Sequence, residues 1–148
     1  MSPGKEDSSA IDRPLTPFDP WTDRKLSEQQ VKQLSPNALA YLGDAVYELY
    51  VRGLYLLPPR RQHDYHQEVV TQVRAETQAR HLQLLDPHLT DGEQDIIRRG
   101  RNAASGRPKR VSAAIYQQAT SLETLIGYLY LTDRERLSQL LHKLYPDR

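Results

Sequence analysis

Cysteine is absent from the 148 residues, which excludes disulfides and thiolate metal centres and fits a reducing compartment. No apolar run approaches the roughly 20 residues of a membrane-spanning helix, so no membrane association is expected. The first residues lack the apolar core of a secretory leader. They mix Glu6, Asp7 and Asp12 with basic residues, unlike an acid-poor transit peptide, and a cytoplasmic location is expected. An excess of one charge is missing too. The formal net charge is +1, so composition as a whole announces no polyanionic partner. Strict alternation of apolar and polar residues does not persist anywhere, and β-branched residues do not cluster. The fold class is therefore read as all-α, and the length as one domain without internal repeats.

What is present is a succession of helical periods. Residues 1–25 are rich in Pro, Ser and Asp, with isolated Phe18 and Trp21. They are expected to form a disordered tail whose last part lies on the domain surface, with the folded domain spanning 26–148. Ser27 with Gln30 is a capping box that opens a short helical turn. Ser35-Pro36 starts the next helix, which must end before Pro58-Pro59. Within it, Leu39, Leu42, Val46, Leu49 and Gly53 draw one face, and Tyr50, Val51 and Leu54 widen that face almost to a cylinder. This spacing predicts a deeply buried helix. A polar helical stretch over 60–85 contains a break, with Val69, Val73, Thr77 and Leu84 on its inner side. Thr90 with Glu93 is a second capping box, opening a helix to about Arg101. A helix over 112–131 has Ile115, Ala119, Leu122, Ile126 and Leu129 on one face and is apolar on much of the other. A last amphipathic helix covers 134–145.

Two of these apolar helices each carry an embedded acid, Asp44 beside Gly43 and Glu123 between Thr120 and Gly127. An ionised carboxylate in apolar surroundings is costly unless it is paired, hydrogen-bonded or bound to a metal. One reading is structural: a solvated stripe closed by a Glu48–Arg52 pair, or a buried helix cap. The other is chemical. Two carboxylates brought together repel unless a proton or cation lies between them. Mg²⁺ suits such a pair, because it takes one or two protein carboxylates and keeps several waters. Its chemistry is metal-assisted phosphodiester hydrolysis. The small residues beside Glu123 let another backbone, or a phosphate, come close.

The stretch 98–110 contains no acid and holds Arg99, Arg101, Arg107, Lys109 and Arg110 around two glycines. Guanidinium groups and glycine backbone N–H groups suit phosphate oxygens. The same stretch also reads as a solvated loop whose arginines complement a helix C-terminus. His63-Asp64 matches a motif of other all-α metal phosphohydrolases, but those need an upstream histidine and His63 is the first in the chain. His63 and His66 are read as surface residues.

The motifs Leu39-Ala40-Tyr41-Leu42-Gly43-Asp44-Ala45, Arg99-Gly100-Arg101-Asn102-Ala103 and Glu123-Thr124-Leu125-Ile126-Gly127-Tyr128-Leu129 occur in that order. They resemble the ribonuclease III family, in particular its short branch, Mini-ribonuclease III, over residues 34–141. The resemblance implies a homodimeric α-helical endonuclease domain that cuts double-stranded RNA with Mg²⁺. It implies Asp44 and Glu123 as catalytic and metal-binding residues. Arg99, Arg101, Asn102, Arg107, Lys109 and Arg110 are the candidate RNA-contacting residues. Longer family members carry two further acids where this chain has Ala40 and Thr120, a departure expected of the short branch. No double-stranded-RNA-binding domain is expected. The implied role is trimming the ends of the 23S rRNA precursor, with a ribosomal protein helping to present it. The competing reading is a non-catalytic RNA-binding or ribosome-assembly protein on the same fold.

Overall fold

The computed structural model describes residues 18–22, 24–106 and 109–148, so the predicted tail over 1–17 lies outside the described residues. The described chain forms α1 (Glu28–Lys32), α2 (Pro36–Leu54), α3 (Gln62–Val73), α4 (Ala75–Leu85), a 3-10 turn (Asp86–His88), α5 (Asp91–Ala103), α6 (Ala113–Thr132) and α7 (Arg134–Leu144). No strand occurs among the described residues. No helix is long and apolar enough to cross a membrane.

Local signals set the helix ends. Both capping boxes form: Ser27 and Gln30 exchange backbone and side-chain bonds at 2.9 and 3.2 Å, and Thr90 and Glu93 do so at 2.9 and 3.1 Å. Ser35 accepts from Ala38 N at 3.0 Å and Pro36 occupies the first turn of α2. The expected break falls at Arg74, which is extended and serves as both the end of α3 and the N-cap of α4.

α6 is the axis of the fold, packed on by α2, α4, α5 and α7. Leu122, Leu125, Ile126, Leu129 and Leu131 are all buried on it. Its buried hydroxyls bond one turn back, Ser121 to Gln117 O at 2.6 Å and Thr124 to Thr120 O at 2.8 Å, so an all-round apolar environment leaves neither unpaired. Across the core from α6, Tyr47 OH lies 2.6 Å from Tyr145 OH and 3.0 Å from His81 Nδ1. This network links α2, α4 and the end of the chain. Burial, and after it the charge of Arg80, hold His81 down at about 4, so it stays neutral there. Glu93 doubles as a cap and an ion-pair partner, bonding Arg136 on α7 at 2.8 and 2.9 Å. The end of the predicted tail is ordered against α6 and α7. Asp19 pairs with Arg134 at 2.9 Å and meets Tyr130, and Trp21 packs beside Val31, Leu39 and Leu131.

Two predicted faces are corrected. α2 is not buried all round: Leu39, Ala40, Gly43, Tyr47 and Val51 face inward, while Tyr41 is 86% exposed and Leu49 69%. The buried stripe is turned relative to the predicted one because Gly43, not Leu42, makes the contact with α6. On α4, Leu84 is exposed and Gln78, His81, Leu82 and Leu85 are buried. The extended Arg74 restarts the helical phase, so a stripe projected across the break misses.

The α2–α6 contact is backbone on backbone. A Cβ on Gly43 would lie 1.8 Å from Glu123 O, and one on Gly127 would lie 2.0 Å from Leu39 O. No rotamer change relieves such a clash, so the helices must separate. Gly43→Ala and Gly127→Ala are each expected to destabilise the protein by at least about 2 kcal/mol in urea unfolding. Gly53→Ala, with nothing within 4 Å of the added methyl, should stay at or above wild-type stability. Near-wild-type midpoints for both crossing-point variants would contradict this packing.

Candidate active site

The glycine crossing delivers Asp44, the residue after Gly43, to Glu123. The two carboxyl groups lie within hydrogen-bonding reach of one another, Asp44 exposed on α2 and Glu123 half-buried on α6. Burial is the main cause that pushes the Glu123 carboxyl from 4.5 up to about 8. Its contact with Asp44 and the charge there push the same way, while the side chain of Gln78 opposes. Left alone at neutral pH, Glu123 therefore holds a proton. Glu48 does not join it. It pairs with Arg52 at 3.1 Å, as its spacing suggested.

The donor set at this point is all oxygen and carries at most two negative charges. Among the described residues, no group of three or more His, Cys, Asp or Glu side chains is assembled. Ala40 and Thr120 are both buried. A buried side-chain oxygen without a partner, Oε1 of Gln78, belongs to the residue that touches Glu123. A hard cation that prefers oxygen and keeps its own waters fits these groups; a thiolate- or imidazole-seeking ion does not.

The basic residues divide between the end of α5 and the segment that follows it. Arg101, Asn102, Lys109 and Arg110 are exposed, Arg99 is half-buried, and Arg107 lies outside the described residues. Arg98 pairs with Asp95. Lys109 and Arg110 lead into α6 at Ala113, with Glu123 about 15 Å further along the helix axis, whereas Arg99 and Arg101 flank Gly100, which packs on Ser121 and Thr124 beside Glu123. Arg101 lines a groove between α4, α5 and α6 with Gln83, Gln94 and Gln118. The two glycines differ in role. Gly100 is a packing residue, since a Cβ there would lie 2.5 Å from Thr124 Oγ1, whereas Gly106 turns the loop at φ +72°. His63 and His66 are exposed on α3, as read from sequence. Gln78 was missed. A glutamine in a polar stretch gives no signal until the restart of the helix at Arg74 turns it inward.

The domain is all-helical among the described residues, and its two central helices cross on glycines with one acid from each at the crossing. The family model described as Ribonuclease III domain matches residues 37–134. The chain is 58% identical over 122 residues to Mini-ribonuclease 3 of Synechococcus sp., covering 82% of this chain and 88% of the relative. It is 60% identical over 111 residues to Mini-ribonuclease 3 of Synechocystis sp., covering 75% and 78%. A crystal structure of a Fusobacterium nucleatum protein superposes with a TM-score of 0.73 at 26% identity, covering 78% of this chain and 95% of that one. The chain belongs to the ribonuclease III family, in its Mini-ribonuclease 3 branch, and is an endoribonuclease.

The protonated Glu123 makes a stability prediction with a definite sign. Its folded pKa is raised, so its contribution is full below pH 4.5 and is lost as pH rises through about 8. Without divalent cations the wild type should lose stability over that window. Glu123→Gln, which has no proton to lose, should melt a few degrees higher at pH 9 and nearly alike at pH 5. Equal melting temperatures at both pH values would show that Glu123 is not under this strain.

Proposed function

We propose that this protein is a divalent-cation-dependent endoribonuclease that cuts double-stranded RNA, with Asp44 and Glu123 as its catalytic and cation-binding residues. The observation that carries the reading is the meeting of these two carboxyls at the glycine crossing, where Glu123 needs a proton or a cation to be at rest. The cation is taken as Mg²⁺, from the oxygen donor set and the resemblance. When bound, it supplies an activated water and stabilises charge on the leaving oxygen. The protein's part is to hold two carboxylates on rigid helices, at a surface where exposed Asp44 is open to a phosphodiester. Arg99, Arg101, Asn102, Arg107, Lys109 and Arg110 contact phosphates and do no chemistry. Duplex RNA is read through its phosphates and 2′-hydroxyls, and basic residues that extend from beside Thr124 to the start of α6, about 15 Å away, suit an extended duplex rather than a small ligand.

The active form is proposed to be a homodimer. Tyr41, Ala45 and Leu49 lie at steps of four on α2 and form an exposed stripe next to Asp44. Large apolar side chains in such a stripe favour a partner surface, and a two-fold axis near it gives two acid pairs, one for each RNA strand. The substrate proposed is the 23S rRNA precursor in the cytoplasm, presented with the help of a ribosomal protein. This rests on the resemblance to the Mini-ribonuclease III branch.

The direct test is incubation of the protein with duplex RNA in Mg²⁺ or EDTA, with mapping of the product ends. Asp44→Asn and Glu123→Gln should each lose cleavage by orders of magnitude while keeping the helical circular dichroism spectrum. Near-wild-type cutting by either variant in saturating Mg²⁺ contradicts the assignment. Light scattering should show a dimer at micromolar concentration, reduced to a monomer by Tyr41→Asp with Leu49→Asp. A wild-type monomer whose activity is insensitive to dilution would remove the dimer from the account. For the loop, RNA binding by Asp44→Asn should show a salt slope that flattens by about one unit for each lost phosphate contact in Arg101→Ala and Arg110→Ala. An unchanged slope places the RNA on another face.

A further inference from the structure

Gln78 is 3% exposed, yet it is polar at both ends of its amide and belongs to a helix that opens without a side-chain cap. Two side chains tie the start of α4 to the last turns of α3. Thr77 Oγ1 donates to Thr71 O at 2.5 Å, and Gln78 Nε2 donates to Val73 O at 2.7 Å. The two residues look alike as tethers but differ in their other contacts. The side chain of Gln78 also reaches the Glu123 carboxyl on α6, and its Oε1 is buried without any partner.

A tether alone accounts for the bond to Val73 O. It does not account for a second polar atom kept buried and unpaired beside an acid pair, since such an atom is costly unless water or an ion completes it. The amide chemistry suits a cation neighbour. Its N–H fixes a carboxylate oxygen without adding charge, and its oxygen accepts from the water that a hard cation retains. A third carboxylate here would add repulsion to a pair already short of positive charge.

We propose that Gln78 is a positioning residue of the cation site, orienting the Glu123 carboxylate through Nε2 and meeting the ion's hydration shell through Oε1. This rests on the reading of Asp44 and Glu123 as the cation's ligands. Groups that orient metal ligands in this way are worth about tenfold to a hundredfold in metal affinity.

The test uses the full chain without RNA and titrates Mn²⁺, following the loss of the free-ion electron paramagnetic resonance signal. Gln78→Leu should weaken Mn²⁺ binding by about tenfold or more. Gln78→Met, of the same length, carries the same expectation should the branched side chain disturb the fold. Thr77→Val removes the neighbouring tether without touching Glu123 and should bind Mn²⁺ as the wild type does. Wild-type affinity in the Gln78 variants overturns the proposal, as does an equal loss in Thr77→Val, which would reduce Gln78 to a tether. Asp44→Asn in the same titration separates the two claims. Tight binding retained there counts against the two-acid site and, with it, the role of Gln78. Loss there with the Gln78 variants unchanged overturns only the role of Gln78.

Discussion

The contact of α2 with α6 through Gly43 and Gly127 is the constraint on which the rest depends. Two helices that touch by their backbones bring whatever follows the contact residues to nearly one point. Here those residues are Asp44, next to Gly43, and Glu123, whose own carbonyl takes part in the contact. Side chains of ordinary size at the crossing would hold the axes the usual 8–10 Å apart and spread the carboxyls. α6 is squeezed from another side by α5, where Gly100 lies against Thr124. The helix that carries Glu123 is therefore fixed by close packing on two sides.

This arrangement works against the stability of the empty protein. Burial and the contact with Asp44 raise the Glu123 pKa to about 8, so ionising it at neutral pH is unfavourable. The proposed cation would relieve this cost, so the pair would trade stability for function. The surrounding structure compensates. The core around Tyr47, Val51, Leu122 and Leu125 is fully closed, and the Glu93–Arg136 pair locks α5 to α7. The exposed stripe of Tyr41 and Leu49 shows the same division of labour. α2 gives one face to the core, one acid to the crossing, and one face to the outside.

Much of the fold was legible in the sequence because its signals are local. Capping boxes at Ser27 and Thr90, Pro36 after Ser35, and the Pro58-Pro59 stop depend on a few neighbouring residues, and each marks an end that the structure has. The small residues beside Glu123 announced a close approach, and the partner is the backbone of α2. What failed was phase. The inward side of α2 is chosen by where Gly43 meets α6, and that of α4 by the extended Arg74, so Leu49 and Leu84 lie outside although both fit an apolar period. Gln78 was illegible for the same reason. Its amide meets a carboxylate across two helices, and no spacing within one helix records that.

The crossing is proposed to make a two-carboxylate cation site. Anomalous scattering from a crystal of the protein grown with Mn²⁺ measures it most directly. The expected result is a peak in contact with both Asp44 and Glu123, lost in Asp44→Asn crystals, with α2 and α6 still touching at Gly43 and Gly127. Two carboxyls turned apart at saturating Mn²⁺, with no peak between them, would contradict it.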